Sequence, residues 1–373
     1  MNLALCTVFL VASVVTVSEP VPLVETDISL MNEVDRSLEI GIDWLRRQQQ
    51  PDGSWNSYPA VTALAVTAIA NDPRGQNSQN QKAVERGVEY ILSCVKPSGG
   101  IFKEDMEVYN TSIALMALLV VDPEKYRDVI DGARRRLLQL QYDGGEGATP
   151  ESADFGGFGY DVDRRPDLSN AQWTLEALWM SERLQLEAPP GEPKRLEKPT
   201  PDLHWEAAIK FLERCQNLRS NNDQHWAGND GGFIYRPGES KAGGTRSYGG
   251  MTYAGLKSFI YARLSRTDPR VQAAFNWIRN NYTVDENPGL GLQGLYYYYH
   301  TMAKALDTYG AEVIVDAEGV DHKWRGDLLT KLVTLQKGEG YWVNDNARWW
   351  ENDPVLVTSY SLLAMQIASS VYR

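Results

Sequence analysis

The sequence is poor in cysteine, in histidine and in clustered positive charge. Its 373 residues hold three cysteines and four histidines, and 37 basic residues stand against 49 acidic ones, which gives a net charge of −12. The longest basic run, Arg134-Arg135-Arg136, lies in a charged helical segment and is expected to face solvent. Because nucleic-acid binding needs a basic surface, we expect no nucleic-acid partner.

The scarce cysteines do not predict a disulfide. Cys6 lies in an apolar N-terminal segment, whereas Cys94 and Cys215 each follow an aromatic residue by four positions near the end of a charged helix. The latter two therefore occupy equivalent positions in two different helix pairs. Since a disulfide requires Cα atoms within about 7 Å, we expect two separate thiols that pack as small apolar side chains.

One apolar run stands out, and it lies at the N-terminus. Residues 3–17 are mostly apolar and are followed by Ser18-Glu19-Pro20. This length fits the apolar region of a secretory signal peptide and is short for a membrane span. We therefore predict a signal peptide over residues 1–18 and a secreted or periplasmic location, with no integral membrane segment after its removal. No basic residue precedes the run, so a misassigned start and an uncleaved anchor are the alternatives.

The dominant pattern is a unit that returns six times: an apolar-periodic helix, a turn of glycine and an aromatic residue, and a second apolar-periodic helix. The first and last copies share the motif Gln-x3-Gly-x-Trp, from Gln49 to Trp55 and from Gln336 to Trp342. Degenerate turns lie between them at residues 99–102, 156–158, 231–233 and 291–294. Since one helix pair cannot bury its apolar face alone, such repeats must stack on their neighbours.

The second helix of each unit is the more apolar of the two. Apolar residues dominate the second-helix segments at residues 60–70, 112–121, 255–262 and 359–368, whereas charge marks first-helix segments such as 206–214. A helix that is apolar on most sides is a buried helix. The sequence therefore predicts an all-α fold, a closed (α/α)6 barrel with charged helices outside and apolar ones inside. We expect one such domain over residues 38–373, preceded by an extension at residues 19–37.

The turns that lead from outer to inner helices should gather at one end of this barrel. The inner-helix N-termini meet there with free backbone N–H groups and positive dipole ends, an arrangement that suits an anionic or strongly polar ligand. Polar and aromatic side chains fall near the same rim, and we expect a cavity for a small molecule among them. The candidate ligand-binding residues are Arg164, Arg165, Arg236, Arg246, Tyr253, Tyr296, Arg348 and Trp349.

The Gln-x3-Gly-x-Trp turns resemble the repeat of the squalene and oxidosqualene cyclases and of the protein prenyltransferase β subunits. The resemblance covers about residues 38–368 and implies the (α/α)6 toroid of the terpenoid cyclase and prenyltransferase superfamily. Squalene-type cyclases carry two helical barrels, whereas this chain is long enough for one. Because a fold does not determine chemistry, function depends on whether the reactive residues are present.

The acid of the cyclases is missing. These enzymes protonate an alkene or epoxide with the middle aspartate of a D-x-D-D-T-A motif at an inner-helix start, and the best match is residues 167–172. Asp167 is kept, but Ser169 and Asn170 replace the proton donor and its partner. A hydroxyl is far too weak an acid to protonate an alkene, so standard cyclase chemistry is not expected. Asp167 is then either a helix cap or a catalytic group of another kind.

The zinc site of the prenyltransferases is also missing. Residues 248–256 resemble their H-G-G-Y-T-F-C-G-L segment, but Tyr248 replaces the histidine that holds the diphosphate. Val357 occupies the position of the zinc-binding histidine, and the aspartate and cysteine ligands are not recognisable. Zinc needs three or four placed ligands, so the sequence predicts neither a metal nor a cofactor.

Three functions fit these observations. The leading hypothesis is an exported toroid that binds a terpenoid or other lipid-like ligand in its central cavity, and whether it catalyses a reaction stays open. The first alternative is a carbohydrate-active enzyme that cleaves an anionic polysaccharide at the rim, for which two carboxylates must face each other, such as Asp161 or Asp163 opposite Asp345 or Asp353. The second alternative is a non-enzymatic interaction scaffold. His300 is either a general base or a packed core residue. The catalytic candidates are Asp161, Asp163, Asp167, Tyr248 and His300.

Overall fold

The computed structural model describes residues 27–75, 77–144, 148–161, 164–186 and 203–373 of the chain. Within these ranges it contains twelve α-helices and one short antiparallel pair of strands, β1 (Ile314–Val315) and β2 (Asp321–His322). The helices are α1 (Ile28–Arg47), α2 (Pro59–Ala70), α3 (Ser78–Ser93), α4 (Glu107–Val121), α5 (Arg127–Gln139), α6 (Leu168–Leu186), α7 (Leu203–Cys215), α8 (Gly249–Tyr261), α9 (Pro269–Asn280), α10 (Leu295–Tyr309), α11 (Trp324–Leu335) and α12 (Pro354–Ser369).

The twelve helices form two concentric rings. The even-numbered helices form the inner ring: each packs against the next, and α12 packs against α2, which closes the ring. The odd-numbered helices lie outside them, and α1, for instance, contacts both α12 and α2. The predicted (α/α)6 barrel is confirmed, and it closes where the first outer helix meets the last inner helix.

Composition decides which helices lie inside. Ten of the twelve residues of α2 are buried, as are thirteen of the sixteen residues of α12. The outer helix α5 buries only three of its thirteen residues, Ile130, Ala133 and Leu137. These three are spaced three and four residues apart and form one stripe, which α5 turns toward α4 and α6.

A glycine in five of the six turns sets each repeat against the next outer helix. Gly53, Gly99, Gly156, Gly231 and Gly340 have φ angles between +84° and +102°, a left-handed conformation that favours glycine. A Cβ atom on any of them would lie 1.9–2.8 Å from a backbone carbonyl oxygen of the next outer helix. Only glycine therefore permits this spacing, and Gly340 makes the same approach to α1.

A glutamine side chain spans the same junction. The amide groups of Gln49, Gln216 and Gln336 each donate to the carbonyl of their own turn glycine at 2.9–3.0 Å. Each also donates to a carbonyl of the next outer helix at 2.8–2.9 Å. The acceptor for Gln336 is Ser37 of α1, so the bond that joins successive repeats also closes the ring.

The aromatic residue of the turn fixes the start of the inner helix. The indole N–H groups of Trp55 and Trp342 donate at 2.8 Å to carbonyls of the preceding outer helix, and both side chains are fully buried. Their backbone N–H groups donate at 3.0 Å to the hydroxyls of Thr62 and Thr358 in the inner helix. The Gln-x3-Gly-x-Trp motif thus positions three helices at once.

The thiols of Cys94 and Cys215 are buried and form no disulfide, as expected. Helix α1 begins at Ile28, before the predicted domain start at residue 38, because Val34 is already fully buried in the core. The predicted signal peptide at residues 1–18 lies outside the described residues.

Among the described helices, one is long and apolar enough to cross a membrane, at Pro354–Tyr372. It is the inner helix α12 with the short turn that follows it, and it is mostly buried.

We expect Gly340→Ala to destabilise the fold by about 2 kcal/mol or more, because alanine is strained in the left-handed region and its Cβ would meet Ile40 of α1. The free energy of unfolding from urea denaturation measures this effect. Gly338→Ala is the matched control, since its Cβ would meet no atom within 4 Å and its φ is not positive. Equal midpoints for the two variants would contradict the role given to the turn glycine.

Candidate functional site

A cavity of about 380 Å³ opens at the end of the barrel where the inner helices begin. It draws residues from five inner helices and from the turns above them. Its lining consists of Met106, Tyr109, Tyr160, Ser169, Tyr235, Lys241, Tyr248, Gly250, Met251, Asn287, Gly294, Tyr297, Trp349, Trp350, Glu351, Leu356 and Tyr360. Eight of these seventeen residues are tyrosine or tryptophan, so aromatic faces dominate the wall.

The mouth of the cavity is formed by two neighbouring tryptophans. Trp349 and Trp350 are 42% and 54% exposed and have φ angles of +57° and +64°. Bulky residues seldom adopt this left-handed conformation. The Trp350 ring packs edge-on against Tyr58 at 5.9 Å between centroids, and the guanidinium of Arg348 lies 4.5 Å from the centre of the Trp349 ring. Two exposed aromatic rings, carried by a strained stretch of backbone, therefore lie at the entrance.

Below the cavity the barrel axis is filled by a stack of rings. Trp173 and His300 come one helical turn after the lining residues Ser169 and Tyr297, and successive turns of one helix face lie three or four residues apart. The imidazole stacks on the indole with 5.2 Å between centroids and lies 5.3 Å from the ring of Tyr360. The cavity thus ends one turn inside the ring of inner helices.

A buried ion cluster lies one turn further along the same helices. The ammonium of Lys257 donates to Glu176 at 2.6 Å, and Lys304 donates to the other oxygen of that carboxylate. Both ammonium groups lie over the ring of Trp173, at 5.4 and 5.7 Å from its centre. The two cations hold the pKa of Glu176 low, so the carboxylate stays ionised. This cluster is separated from the cavity by Trp173 and His300.

Every inner-helix N-terminus is capped by a side chain. The amide oxygens of Asn110 and Asn287 accept from the backbone N–H groups of Ala60 in α2 and Gly250 in α8, both at 2.9 Å. Four carboxylates cap the other inner helices at 2.8–2.9 Å: Asp161 for α4, Asp167 for α6, Glu351 for α10 and Asp353 for α12. The N–H groups that were expected to attract an anionic ligand are therefore already engaged, mostly by negative charge.

Glu351 is the one acidic residue among the lining residues. Its carboxylate is 1% exposed and accepts from the backbone N–H of Tyr297 at 2.8 Å and from the side-chain amide of Asn344 at 2.6 Å. Burial raises the pKa of Glu351 to about 7, because these hydrogen bonds compensate only part of the lost hydration. Near neutral pH the group is therefore divided between its charged and neutral forms.

Asp167 acts as a helix cap, one of the two roles foreseen for it. It is fully buried and accepts from the backbone N–H and the side-chain amide of Asn170, both at 2.9 Å. Burial raises the pKa of Asp167 to about 6. Its carboxylate is not part of the cavity lining, whereas Ser169, which occupies the position of the cyclase acid, is.

His300 lies beneath the cavity and not in its wall. Its side chain is 1% exposed, and neither ring nitrogen has a hydrogen-bond partner among the described residues. Burial lowers the pKa of His300 well below its usual value, and the nearby charges of Lys304 and Lys257 act in the same direction. The imidazole is therefore neutral, and its position fits a packed core residue better than a general base.

Two of the predicted site residues line the cavity, Tyr248 and Trp349. Tyr253 and Tyr296 are buried but do not line the cavity, and each packs against another tyrosine. The predicted arginines lie at the surface or bind nearby groups: Arg164 is exposed, Arg165 pairs with Asp154, Arg236 with Glu239, Arg246 bonds the carbonyl of Ala242, and Arg348 bonds the side chain of Gln293. Asp163 lies outside the described residues.

Most residues of the wall were not predicted from the sequence. Tyr109, Tyr297 and Tyr360 lie in the first two turns of α4, α10 and α12 and line the cavity. The only available signal was their place near an inner-helix start. In the part of the chain that the structure describes, no group of three or more histidine, cysteine or acidic residues is arranged to hold a metal ion.

The fold and the site together define an (α/α)6 toroid with an aromatic cavity at one end. No protein-family model matches the chain. Among solved structures it is similar to the type II terpene cyclase MstE from Scytonema in complex with its product merosterolic acid A, with a TM-score of 0.56 and 12% identity over 93% of this chain and 100% of that one. The same cyclase in complex with its substrate geranylgeranyl dihydroxybenzoate gives a TM-score of 0.56 and 11% identity over 92% and 99% of the two chains.

A carbohydrate-active enzyme is equally similar. An inactive variant of an α-1,6-mannanase of Salegentibacter sp. in complex with α-1,6-mannotetrose gives a TM-score of 0.56 and 10% identity over 91% of this chain and 99% of that one. At these identities the likeness establishes the fold alone. This toroid is therefore shared by proteins with lipid-like substrates and by proteins with glycan substrates.

Replacing Glu351 with glutamine should change the pH dependence of folding stability. Because burial raises the pKa of Glu351 from 4.5 to about 7, the folded chain holds a proton in this range that the unfolded chain has lost. Rising pH therefore destabilises the native protein by about 1.4 kcal/mol per pH unit between these values. Relative to the unsubstituted protein, Glu351→Gln should gain about 2–3 kcal/mol between about pH 5 and pH 8.

Urea denaturation at several pH values measures this difference. Asp167, whose pKa is raised to about 6 in the same direction, is present in both proteins, so its contribution cancels. Glu339→Gln is the control, because this glutamate is exposed on a turn. A pH-independent difference for Glu351→Gln would show that the carboxylate is ionised in the folded protein across the whole range.

Proposed function

We propose that this protein is exported and binds an apolar, lipid-like ligand of isoprenoid type in the cavity at the inner-helix N-termini. The observation that carries the proposal is the composition of the wall, where eight aromatic side chains surround a volume of about 380 Å³. Met106, Met251 and Leu356 add further apolar surface. Ligand cavities in proteins commonly have volumes of about 300–1,000 Å³ and mostly apolar walls.

The charged residues of the wall do not favour a charged ligand. Lys241 is paired with Glu239 at 2.6 Å, and its ammonium lies 4.1 Å from the centre of the Tyr235 ring. Glu351 caps α10. An anionic ligand would therefore meet the partly ionised Glu351 and no free cation in the described wall. Burial of apolar surface, at about 25 cal/mol per Å², is then the main source of affinity.

Structural similarity to a cyclase that binds geranylgeranyl dihydroxybenzoate supports the choice of an isoprenoid. The chemistry of that class is not part of the proposal. Ser169 stands where the cyclase motif has its acid, and the nearby carboxylate of Asp167 is engaged with Asn170 and lies outside the lining. We therefore propose ligand binding without the alkene protonation that starts cyclisation.

Glycan cleavage is less well supported, although a mannanase shares the fold. Glycosidic hydrolysis uses two carboxyl groups that flank the scissile bond, and the lining of the described cavity contains one, Glu351. Asp161 and Asp353 cap helices α4 and α12, and Asp345 is exposed. The capping carboxylates also make the rim unsuited to an anionic polysaccharide.

The test is the binding of farnesene, an apolar isoprenoid, followed by native mass spectrometry and by titration of tryptophan fluorescence. Gly250→Leu should weaken binding by about tenfold or more, since overpacking a filled site typically costs about 1–3 kcal/mol. Gly250 lines the cavity, and a Cβ there makes only ordinary contacts, with its nearest neighbour at 3.6 Å. The side chain would therefore enter the cavity while the helix is retained.

Gly326→Leu provides the control, because Gly326 lies in the outer helix α11 with open space around it. It should bind farnesene as the unsubstituted protein does. Binding of α-1,6-mannotetrose in place of farnesene would refute the lipid proposal and favour the carbohydrate alternative. Equal loss of farnesene binding in both variants would also refute it and would favour the interaction scaffold.

A further inference from the structure

Four of the residues that line the cavity carry hydroxyl groups that lie close to one another, and we call them the hydroxyl layer. Tyr109, Ser169, Tyr297 and Tyr360 all line the cavity, and they come from four different inner helices, α4, α6, α10 and α12. An apolar wall would not need them. The hydroxyls meet in two pairs, Tyr109 with Tyr360 and Ser169 with Tyr297, and the Tyr297 and Tyr360 rings lie 6.2 Å apart between centroids. Polar groups that come together from separate helices beside an aromatic cavity are arranged as a recognition site for a polar atom.

These hydroxyls are only loosely bonded to one another. The Tyr297 hydroxyl lies 3.4 Å from the Ser169 hydroxyl and accepts from the side-chain amide of Gln172 at 3.3 Å. The hydroxyls of Tyr109 and Tyr360 are 3.3 Å apart. A well-formed O–H···O bond spans about 2.5–3.0 Å, and each hydroxyl can donate one bond and accept two. The layer therefore keeps hydrogen-bonding capacity for another molecule.

One buried group beside this layer lacks a hydrogen-bond partner. The side-chain carbonyl of Gln172 has no hydrogen-bond partner within the described ranges, although the residue is only 1% exposed. Its amide end is directed to the Tyr297 hydroxyl. A buried acceptor without a donor is costly. Gln172 does not line the cavity itself, so its influence on a ligand would come through the Tyr297 hydroxyl, to which its amide donates.

The layer carries no net charge. Burial raises the pKa values of Tyr109, Tyr297 and Tyr360 above their usual range, so the phenols stay protonated. The neutral His300 lies directly below, and Lys257 and Lys304 beyond it are bound to Glu176. A carboxylate or phosphate placed here would lose its hydration without gaining a counter-ion.

We infer that the hydroxyl layer binds a neutral oxygen function, a hydroxyl or a carbonyl, at the end of an otherwise apolar ligand. The inference rests on the proposed function and specifies its ligand class: a prenyl alcohol or a related neutral lipid that enters with its oxygen first. Its hydrocarbon part then lies along the aromatic wall, toward Trp349 and Trp350 at the mouth. Ser169, in the position of the missing cyclase acid, serves as a hydrogen-bonding group.

The experiment compares three ligands with the same carbon skeleton at pH 8: farnesol, farnesene and farnesoic acid, which is ionised there. Fluorescence titration of the full protein should show farnesol binding about tenfold or more tightly than farnesene, the effect of a buried hydrogen bond worth about 1.4 kcal/mol. Farnesoic acid should bind less tightly than farnesol. Equal affinity for farnesol and farnesene, or tighter binding of the acid, would overturn the inference and leave the proposed function standing. Failure of all three ligands to bind would overturn both.

Tyr297→Phe and Ser169→Ala identify the groups that act. Each should lower the ratio of farnesol to farnesene affinity by about three- to tenfold, because the alcohol loses a hydrogen bond. Tyr296→Phe is the matched control, since that hydroxyl is directed to the carbonyl of Val343 and does not line the cavity. A role confined to packing would reduce both affinities and keep their ratio. An unchanged ratio in Tyr297→Phe and Ser169→Ala would therefore contradict the assignment.

Discussion

The whole structure depends on the close approach of a turn glycine to the backbone of the next outer helix. At Gly156 the position that a Cβ would occupy lies 1.9 Å from a carbonyl oxygen of α7, and at Gly340 the same kind of contact is made to α1. These contacts set the distance between successive repeats. Because the last of them reaches back to the first helix, they also fix the circumference of the ring, and with it the space left along the axis.

Side chains fill most of that axial space in layers one helical turn apart. The lowest layer places Lys257 and Lys304 around the single carboxylate of Glu176, with the face of Trp173 over both ammonium groups. Two cations buried with one anion need such additional stabilisation. Trp173 and His300 cover this cluster. The cavity can therefore exist only above them, among the first turns of the inner helices.

The fold could be predicted because its signals are local in sequence. The motif from Gln49 to Trp55 bonds within itself, to the preceding helix and to the next outer helix, and apolar composition separates α2 from α5. The site could not be predicted in the same way, because its contacts join distant segments. Glu351 is 54 residues from Tyr297, whose N–H it caps. An arginine near the rim gives no sign that its partner will be another loop residue, as Asp154 is for Arg165.

Because they are capped by side chains, the inner-helix N-termini do not favour the anionic ligand that was expected there. Converging helix N-termini favour an anion only while their N–H groups are free. Here each first turn is bonded to a side chain, and carboxylates serve α4, α6, α10 and α12. The helix dipoles thus stabilise acidic residues of the protein itself. What remains open to a ligand is the space between the capped ends, where eight of the seventeen lining residues are tyrosine or tryptophan. The proposed selectivity of the cavity for a neutral ligand therefore depends on the caps as much as on its wall.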